Sequence, residues 1–158
     1  MKRVIYAAIA IFLLMESACS ESGTATILNT ANGSWVFKSV TYGEANCRYS
    51  SGGILYANSP NGGGSSLTFG FKDTLPTTGG NYTVVTGAPA NSRQVIISMD
   101  INSGLAAVYD PLPGLNQTMV VSIGQNGKVI VSGSGILLVN NYTPYDTATL
   151  NFNVTQLQ

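Results

Sequence analysis

Val120-Val-Ser-Ile-Gly-Gln-Asn-Gly-Lys-Val-Ile-Val131 decides the fold class. Two apolar runs rich in β-branched side chains flank Gly-Gln-Asn-Gly. Such side chains pack well on a pleated surface and lose rotamer freedom in a helix. Asn126-Gly127 suits a type I′ turn, because both of its central residues need positive φ. A two-residue turn there predicts a hairpin in which Ile123 lies opposite Ile130.

Outward from this hairpin the same period of two recurs. Trp35, Phe37 and Ser39 alternate with Val36, Lys38, Val40 and Tyr42, and Leu67, Phe69 and Phe71 alternate with Thr68, Gly70 and Lys72. Tyr82 and Val84 flank Thr83, and Val95, Ile97, Met99 and Ile101 share one side of a further run. Leu150, Phe152 and Val154 alternate with Thr149, Asn151 and Asn153. Further strands are expected over Ala45–Tyr49, Gly53–Ala57, Leu105–Tyr109, Met119–Ile123, Lys128–Ser132 and Ile136–Val139. Turn-forming clusters separate them at Ser59–Gly64, Pro76–Gly80, Asn102–Gly104 and Pro111–Gly114. No run beyond the N-terminus carries a sustained 3.6-residue apolar period. The expected class is all-β, an antiparallel β-sandwich, with a lipocalin-like up-and-down β-barrel as the alternative.

The first residues follow a different grammar. Lys2 and Arg3 precede the unbroken apolar run Val4–Met15, and the small residues Ser17-Ala18 precede Cys19. A charged start, a short apolar run and small residues describe a secretory signal. The run is too short to span a bilayer, which takes about twenty apolar residues. The pattern resembles the bacterial lipoprotein signal, which implies removal of residues 1–18 and a diacylglyceryl group on the Cys19 thiol. Glu16 departs from that pattern, where an aliphatic residue is usual, and a cut after Ser20 is the alternative. Residues 19–33 then read as the lipidated cysteine and a flexible tether of small polar side chains. Within it, Ile27-Leu28 either belong to the tether or add a short edge strand. Residues 34–158 form one domain.

Beyond residue 18 the chain carries five basic side chains (Lys38, Arg48, Lys72, Arg93, Lys128) and six acidic ones (Glu21, Glu44, Asp73, Asp100, Asp110, Asp146), a net charge of −1. That balance builds no field for nucleic acid or anionic lipid. If Cys19 is acylated, Cys47 has no intrachain partner and reads as a small buried hydrophobe. If it is not, a Cys19–Cys47 bridge is the rival in an oxidising compartment.

Asn32-Gly33-x-Trp35, Gly52-Gly53 and Gly79-Gly80-Asn81-Tyr82 together resemble small β-sandwich lipoproteins of Bacteroidota-type bacteria. Separately, Gly33-Ser34-Trp35 at the head of the first strand is similar to the G-x-W of lipocalins, which are ligand-carrying barrels. The first likeness implies a lipid-anchored protein of the cell envelope, at the outer membrane, and the second a carrier of a small apolar ligand. Asp73-Thr74-Leu75 and Asp146-Thr147-Ala148 are similar to the O-glycosylation sites of Bacteroidota-type envelope proteins, which implies Thr74 and Thr147 as acceptors.

Catalytic chemistry finds little to use. The chain has no histidine, which removes Ser-His-Asp and Cys-His catalysis and His-ligated zinc. One mature cysteine besides Cys19 builds no thiolate metal site. Neither a cofactor nor a metal is expected. Asp100-Ile-Asn-Ser-Gly104 opens like a calcium loop, but Leu105 stands where the glycine belongs and Pro111 where the final Glu belongs. Gly62–Ser66 lacks the Lys-Ser/Thr and the following helix of a phosphate loop. A carboxylate-based glycan-processing enzyme would need two acids flanking a cleft. Asp100 and Asp110 are the pair that brackets one segment, but nothing in the sequence brings any two acids together. The concentrated feature is Asn140-Asn-Tyr-Thr-Pro-Tyr-Asp146. Aromatic faces stack on sugars or apolar side chains, and amides supply directed hydrogen bonds. Tyr142, Tyr145 and Asp146 are therefore the expected ligand-binding residues. The alternative is that the rings fold back over the end of the domain. The expected protein is a non-catalytic, membrane-anchored binding or accessory module whose partner is an envelope protein or a glycan.

Overall fold

The computed structural model describes residues 33–43, 46–59, 63–101, 107–143 and 145–157. The signal, Cys19 and the tether up to Asn32 lie outside the described residues, as does the Asn102–Gly104 turn.

Eleven strands account for most of what is described: β1 Gly33–Phe37, β2 Val40–Tyr42, β3 Asn46–Ser50, β4 Ile54–Asn58, β5 Ser66–Phe71, β6 Gly80–Val84, β7 Gln94–Ile101, β8 Ala107–Pro111, β9 Gln117–Ile123, β10 Val129–Asn140 and β11 Thr147–Thr155. No α-helix occurs among the described residues, and the protein is all-β. The alternation read from the sequence becomes burial. Leu150, Phe152 and Val154 of β11 are buried, as are Val95, Ile97 and Met99 of β7, with their chain neighbours facing out.

The strands form one hydrogen-bonded path, β2-β1-β11-β10-β9-β6-β7-β5-β4-β3, with β8 pairing both β10 and β7. Every pairing is antiparallel except β6 with β7, which is parallel. β10–β9–β6–β7–β8 thus closes into a small barrel, and β11-β1-β2 and β5-β4-β3 extend from it as wings. The wings face each other as sandwich layers do, with Phe69 of β5 lying 5.0 Å from Phe152 of β11. The refinement is that the layers are not separate sheets, and the strand order is not that of an up-and-down barrel. The physical cause is strand length. β10 has twelve residues and β7 has eight, so each pairs with two different strands along one edge. Between its β9 and β8 segments Leu137 of β10 has no strand partner on that edge, and backbone meets only its carbonyl, from Leu112 N at 3.0 Å. The Gln117 side chain fills the gap, its Oε1 accepting from Leu137 N (2.6 Å) and its Nε2 donating to Leu137 O (3.0 Å).

Three local expectations change. The run Trp35–Tyr42 is a hairpin rather than one strand, turning at Lys38-Ser39 with φ of 50° and 63°. Left-handed backbone at non-glycine residues costs on the order of 1 kcal/mol or more each. The turn sets Trp35 opposite Tyr42, and their rings stack at 5.3 Å in the core. The runs Lys128–Ser132 and Ile136–Val139 are one strand, β10, interrupted by a bulge between Gly133 and Ile136. Asn151 Oδ1 braces that bulge, accepting from Ser134 Oγ (2.8 Å) and Gly135 N (2.9 Å).

The third change is at Asn126-Gly127. Both residues do have positive φ, 66° and 73°. The loop, however, holds three residues, Gln125–Gly127, and Ile123 pairs with Val129, not Ile130. One residue of slip moves a whole strand to the other face. The two-residue turn would have set Val121 against Ser132, whereas the observed register sets it against Val131, and Val121, Val129 and Val131 are all buried. The slip would turn Val129 and Val131 outward and Ser132 inward, and burying the two valines, at about 1.5–3 kcal/mol each, outweighs the preferred turn length. A Cβ on Gly127 would meet nothing within 4 Å, so Gly127→Val tests backbone strain alone. It is expected to cost about 1–3 kcal/mol in denaturant unfolding. Gly87→Ala, at a site with open space and no left-handed φ, serves as the control. Equal midpoints for both variants would refute the assignment.

Candidate functional site

The β1–β2 turn and the β10–β11 connection meet at one end of the domain. Lys38, at the strained turn, reaches Asp146 with Nζ 2.7 Å from both carboxylate oxygens and donates to the Tyr109 hydroxyl at 2.6 Å. Its ammonium also lies 4.7 Å from the centroid of the Tyr109 ring. The Tyr109 hydroxyl donates to Asp146 Oδ2. Tyr109 itself is anchored in the core, buried and edge-on to Phe37 at 4.9 Å. The cluster is therefore fixed from below by a ring that cannot move without opening the core.

This arrangement perturbs both charges. Burial opposes the Lys38 charge, but hydrogen bonds to Asp146 and Tyr109 outweigh it and hold its pKa above the ordinary lysine value. Hydrogen bonds from Lys38 and then Tyr109 hold Asp146 below the usual carboxylate range. The two stay ionised and compensate each other through neutral pH.

The connection from Asn140 to Asp146 is pinned at both ends. Asn140 N donates to Asp146 O at 2.9 Å, and Asp146 N to Thr143 O at 2.8 Å. Asn140 Oδ1 accepts from Tyr142 N (2.8 Å) and Thr143 N (3.1 Å), an Asx turn. Asn141 N donates to Val108 O, and Asn141 Nδ2 to Asp110 Oδ2 at 2.7 Å. Above this scaffold Tyr142 and Tyr145 stand 75% and 96% exposed. The rings do not fold back over the domain end, so the alternative is removed. Pro144 lies outside the described residues. Sequence reasoning singled out Tyr142, Tyr145 and Asp146 but not the Lys38 and Tyr109 that the fold brings to Asp146. Lys38 stands inside an alternating run and Tyr109 inside a strand, and neither position carries a local signal of a partner 108 or 37 residues away.

The other candidates are dispersed. Thr74 and Thr147 are both exposed, Thr147 at the start of β11 opposite Val139. Thr74 lines an open cleft of about 180 Å³ with Phe71, Leu75, Pro76 and Tyr82. Asp100 lies opposite Val108 in the β7–β8 pairing, so Asp110, two residues on, is its diagonal neighbour on the outer face, a spacing of about 7–8 Å. The sequence singled out this pair, but not that pairing of β7 with β8 brings the two together. The pair stands on a sheet face rather than across a cleft, and Asn141 occupies one Asp110 oxygen. Among the described residues no group of three His, Cys, Asp or Glu side chains could hold a metal.

Cys47 is a free, buried thiol whose pKa burial pushes up to about 12. A thiolate is the reactive form, so native protein at pH 8 should resist alkylation at Cys47 and react within the time of unfolding in denaturant. Rapid labelling of the native fold, read by mass, would contradict the burial.

Comparison with protein-family models, with curated proteins and with solved structures returns no match.

Proposed function

We propose that this protein is a lipid-anchored lipoprotein of the cell envelope, held at the outer membrane by acyl chains on Cys19, and that it acts as a non-catalytic binding module. The observation that carries the binding role is the exposure of Tyr142 and Tyr145 on a loop held by the Lys38–Asp146–Tyr109 cluster and the Asn140 turn. Large exposed rings on a fixed backbone lose little freedom when a ligand stacks on them. Its ligand is a glycan or a partner protein of the envelope. The anchor rests on the order Lys2-Arg3, Val4–Met15, Ser17-Ala18-Cys19. Each buried CH₂ contributes about 0.8 kcal/mol, so two or three chains give stable attachment. Thr74 and Thr147 are exposed, as O-glycan acceptors must be. The lipocalin-like carrier reading draws no such support, because Trp35, Phe37, Phe69, Leu138 and Phe152 fill the interior.

Tyr142→Ala and Tyr145→Ala are expected to weaken retention of an envelope glycan or partner by roughly 2- to 12-fold each, from about 0.5–1.5 kcal/mol per aromatic contact. The melting temperature should not change. A lower melting temperature with retention intact would make the rings structural and end the proposal. Intact mass of the mature protein tests the anchor, and an unmodified Cys19 or a first residue of Glu21 would refute it.

A further inference from the structure

We infer that the ligand of the tyrosine loop is an uncharged glycan, and that its chain continues from the loop along the outer face of β11. The inference rests on the loop being a contact surface. Six neighbouring strands, β2, β1, β11, β10, β9 and β6, contain no Asp, Glu, Lys or Arg. Of the charges bordering this face, Lys38 and Asp146 are spent on each other, Lys128 Nζ donates to Leu157 O at 2.7 Å, Arg93 Nη1 to Gly79 O at 3.0 Å, and Asp110 of the adjoining β8 accepts from Asn141. An anionic polymer or a lipid headgroup needs unpaired basic side chains, and none stands on these six strands.

β11 leaves the loop directly, beginning one residue after Asp146. Its buried Leu150, Phe152 and Val154 turn the intervening side chains outward. Asn151 is committed to the bulge in β10, while Thr147, Thr149 and Asn153 are exposed. The track therefore begins with two stacking rings and continues with short hydroxyl and amide groups spaced by about 6.8 Å per two residues. A protein partner would call for buried apolar or arginine anchors at the centre of its footprint. A neutral sugar chain calls for what is here, flat rings and uncharged groups that both donate and accept hydrogen bonds.

The test is affinity electrophoresis and calorimetry of the full chain against neutral polysaccharides (mannan, dextran, starch) and an acidic one (alginate), at 0.05 and 0.5 M NaCl. At least one neutral polymer should bind, alginate should not, and salt should change the affinity less than about twofold, because screening acts on charges. Thr149→Glu and Asn153→Ala should each weaken binding by about 2- to 12-fold, the range of one lost hydrogen bond, without lowering the melting temperature. Three outcomes overturn the inference. If the tyrosine variants lose binding but the β11 variants do not, the loop functions alone. Preference for alginate, or loss of binding in salt, means a charged ligand and leaves the loop's role standing. Retention of an envelope protein with no polysaccharide bound means the partner is a protein.

Discussion

Trp35→Ala is expected to lower the stability of this domain by about 3–5 kcal/mol, the range for emptying a buried aromatic site. The side chain is fully buried at the head of β1 and stacks on Tyr42 at 5.3 Å with the planes 13° apart. Removing it leaves Tyr42 without its stacking partner. Domains of this size have only about 5–15 kcal/mol in total, so the melting temperature should fall by many degrees. Trp35→Phe makes the comparison informative. Trp35 Nε1 is buried without a protein acceptor, and a buried unsatisfied donor costs about 1–3 kcal/mol. Phenylalanine surrenders some ring area but removes that donor, so it should lose under about 1.5 kcal/mol, as volume-tolerant apolar exchanges do. Denaturant unfolding of the two variants decides the matter. An alanine variant as stable as the parent would mean that Trp35 does not fill the core, and equal large losses would mean that its Nε1 has a partner.

What the chain made legible was what one-sided burial writes into it. A strand with one face in the core must alternate, and Val95–Ile101 and Leu150–Val154 alternate in the sequence and in the fold. Closure was not legible. Nothing in Gln117 or Leu137 announces that an amide will stand in for a strand 20 residues away. The Lys38-Ser39 turn was missed because neither residue favours the left-handed backbone that both adopt there. Tertiary packing of Trp35 on Tyr42 overrides local preference there. At Asn126-Gly127 the turn was legible but its length was not, because length answers to the facing valines. The site divides in the same way. The tyrosine and amide cluster is contiguous and could be read, whereas the Lys38–Tyr109–Asp146 brace is assembled across the sheet and could not.

The uncharged face of β2, β1, β11, β10, β9 and β6 was also written in the sequence, although it takes the strand order to see that these segments are neighbours. Charges sit instead at the connections, at Lys38, Lys72, Asp73, Arg93, Lys128 and Asp146, and on strands outside this set, at Arg48 of β3, Asp100 of β7 and Asp110 of β8. That distribution leaves the six-strand face without a charged side chain of its own. A wide neutral sheet face risks self-association. Here short hydroxyl and amide side chains, rather than large apolar ones, occupy most of its outward positions. The same choice that keeps the face soluble equips it for an uncharged polar ligand.

Gly33→Ala should be nearly as damaging as the loss of Trp35, at about 2–4 kcal/mol, although it adds only one methyl group. A Cβ on Gly33 would lie 2.5 Å from Asn153 O and 2.7 Å from Val154 Cα, both backbone atoms of the paired strand β11. No flexible side chain is available to move aside. The residue also holds φ at +93°, where a non-glycine residue pays about 1–3 kcal/mol. Relief requires β1 to pull away from β11 at the Gly33↔Val154 pair. That would disturb Trp35, two residues on. The Gly-x-Trp of this chain is therefore one structural unit, in which the glycine lets β1 approach β11 and the tryptophan fills the space behind it. Two measurements separate this from a generic glycine effect. Gly87→Ala should be neutral or slightly stabilising, by up to about 1 kcal/mol. The double variant Gly33→Ala with Trp35→Ala should lose less than the sum of the two singles, because residues that share one packing arrangement are not additive. Strict additivity would make the two positions independent and break the unit apart.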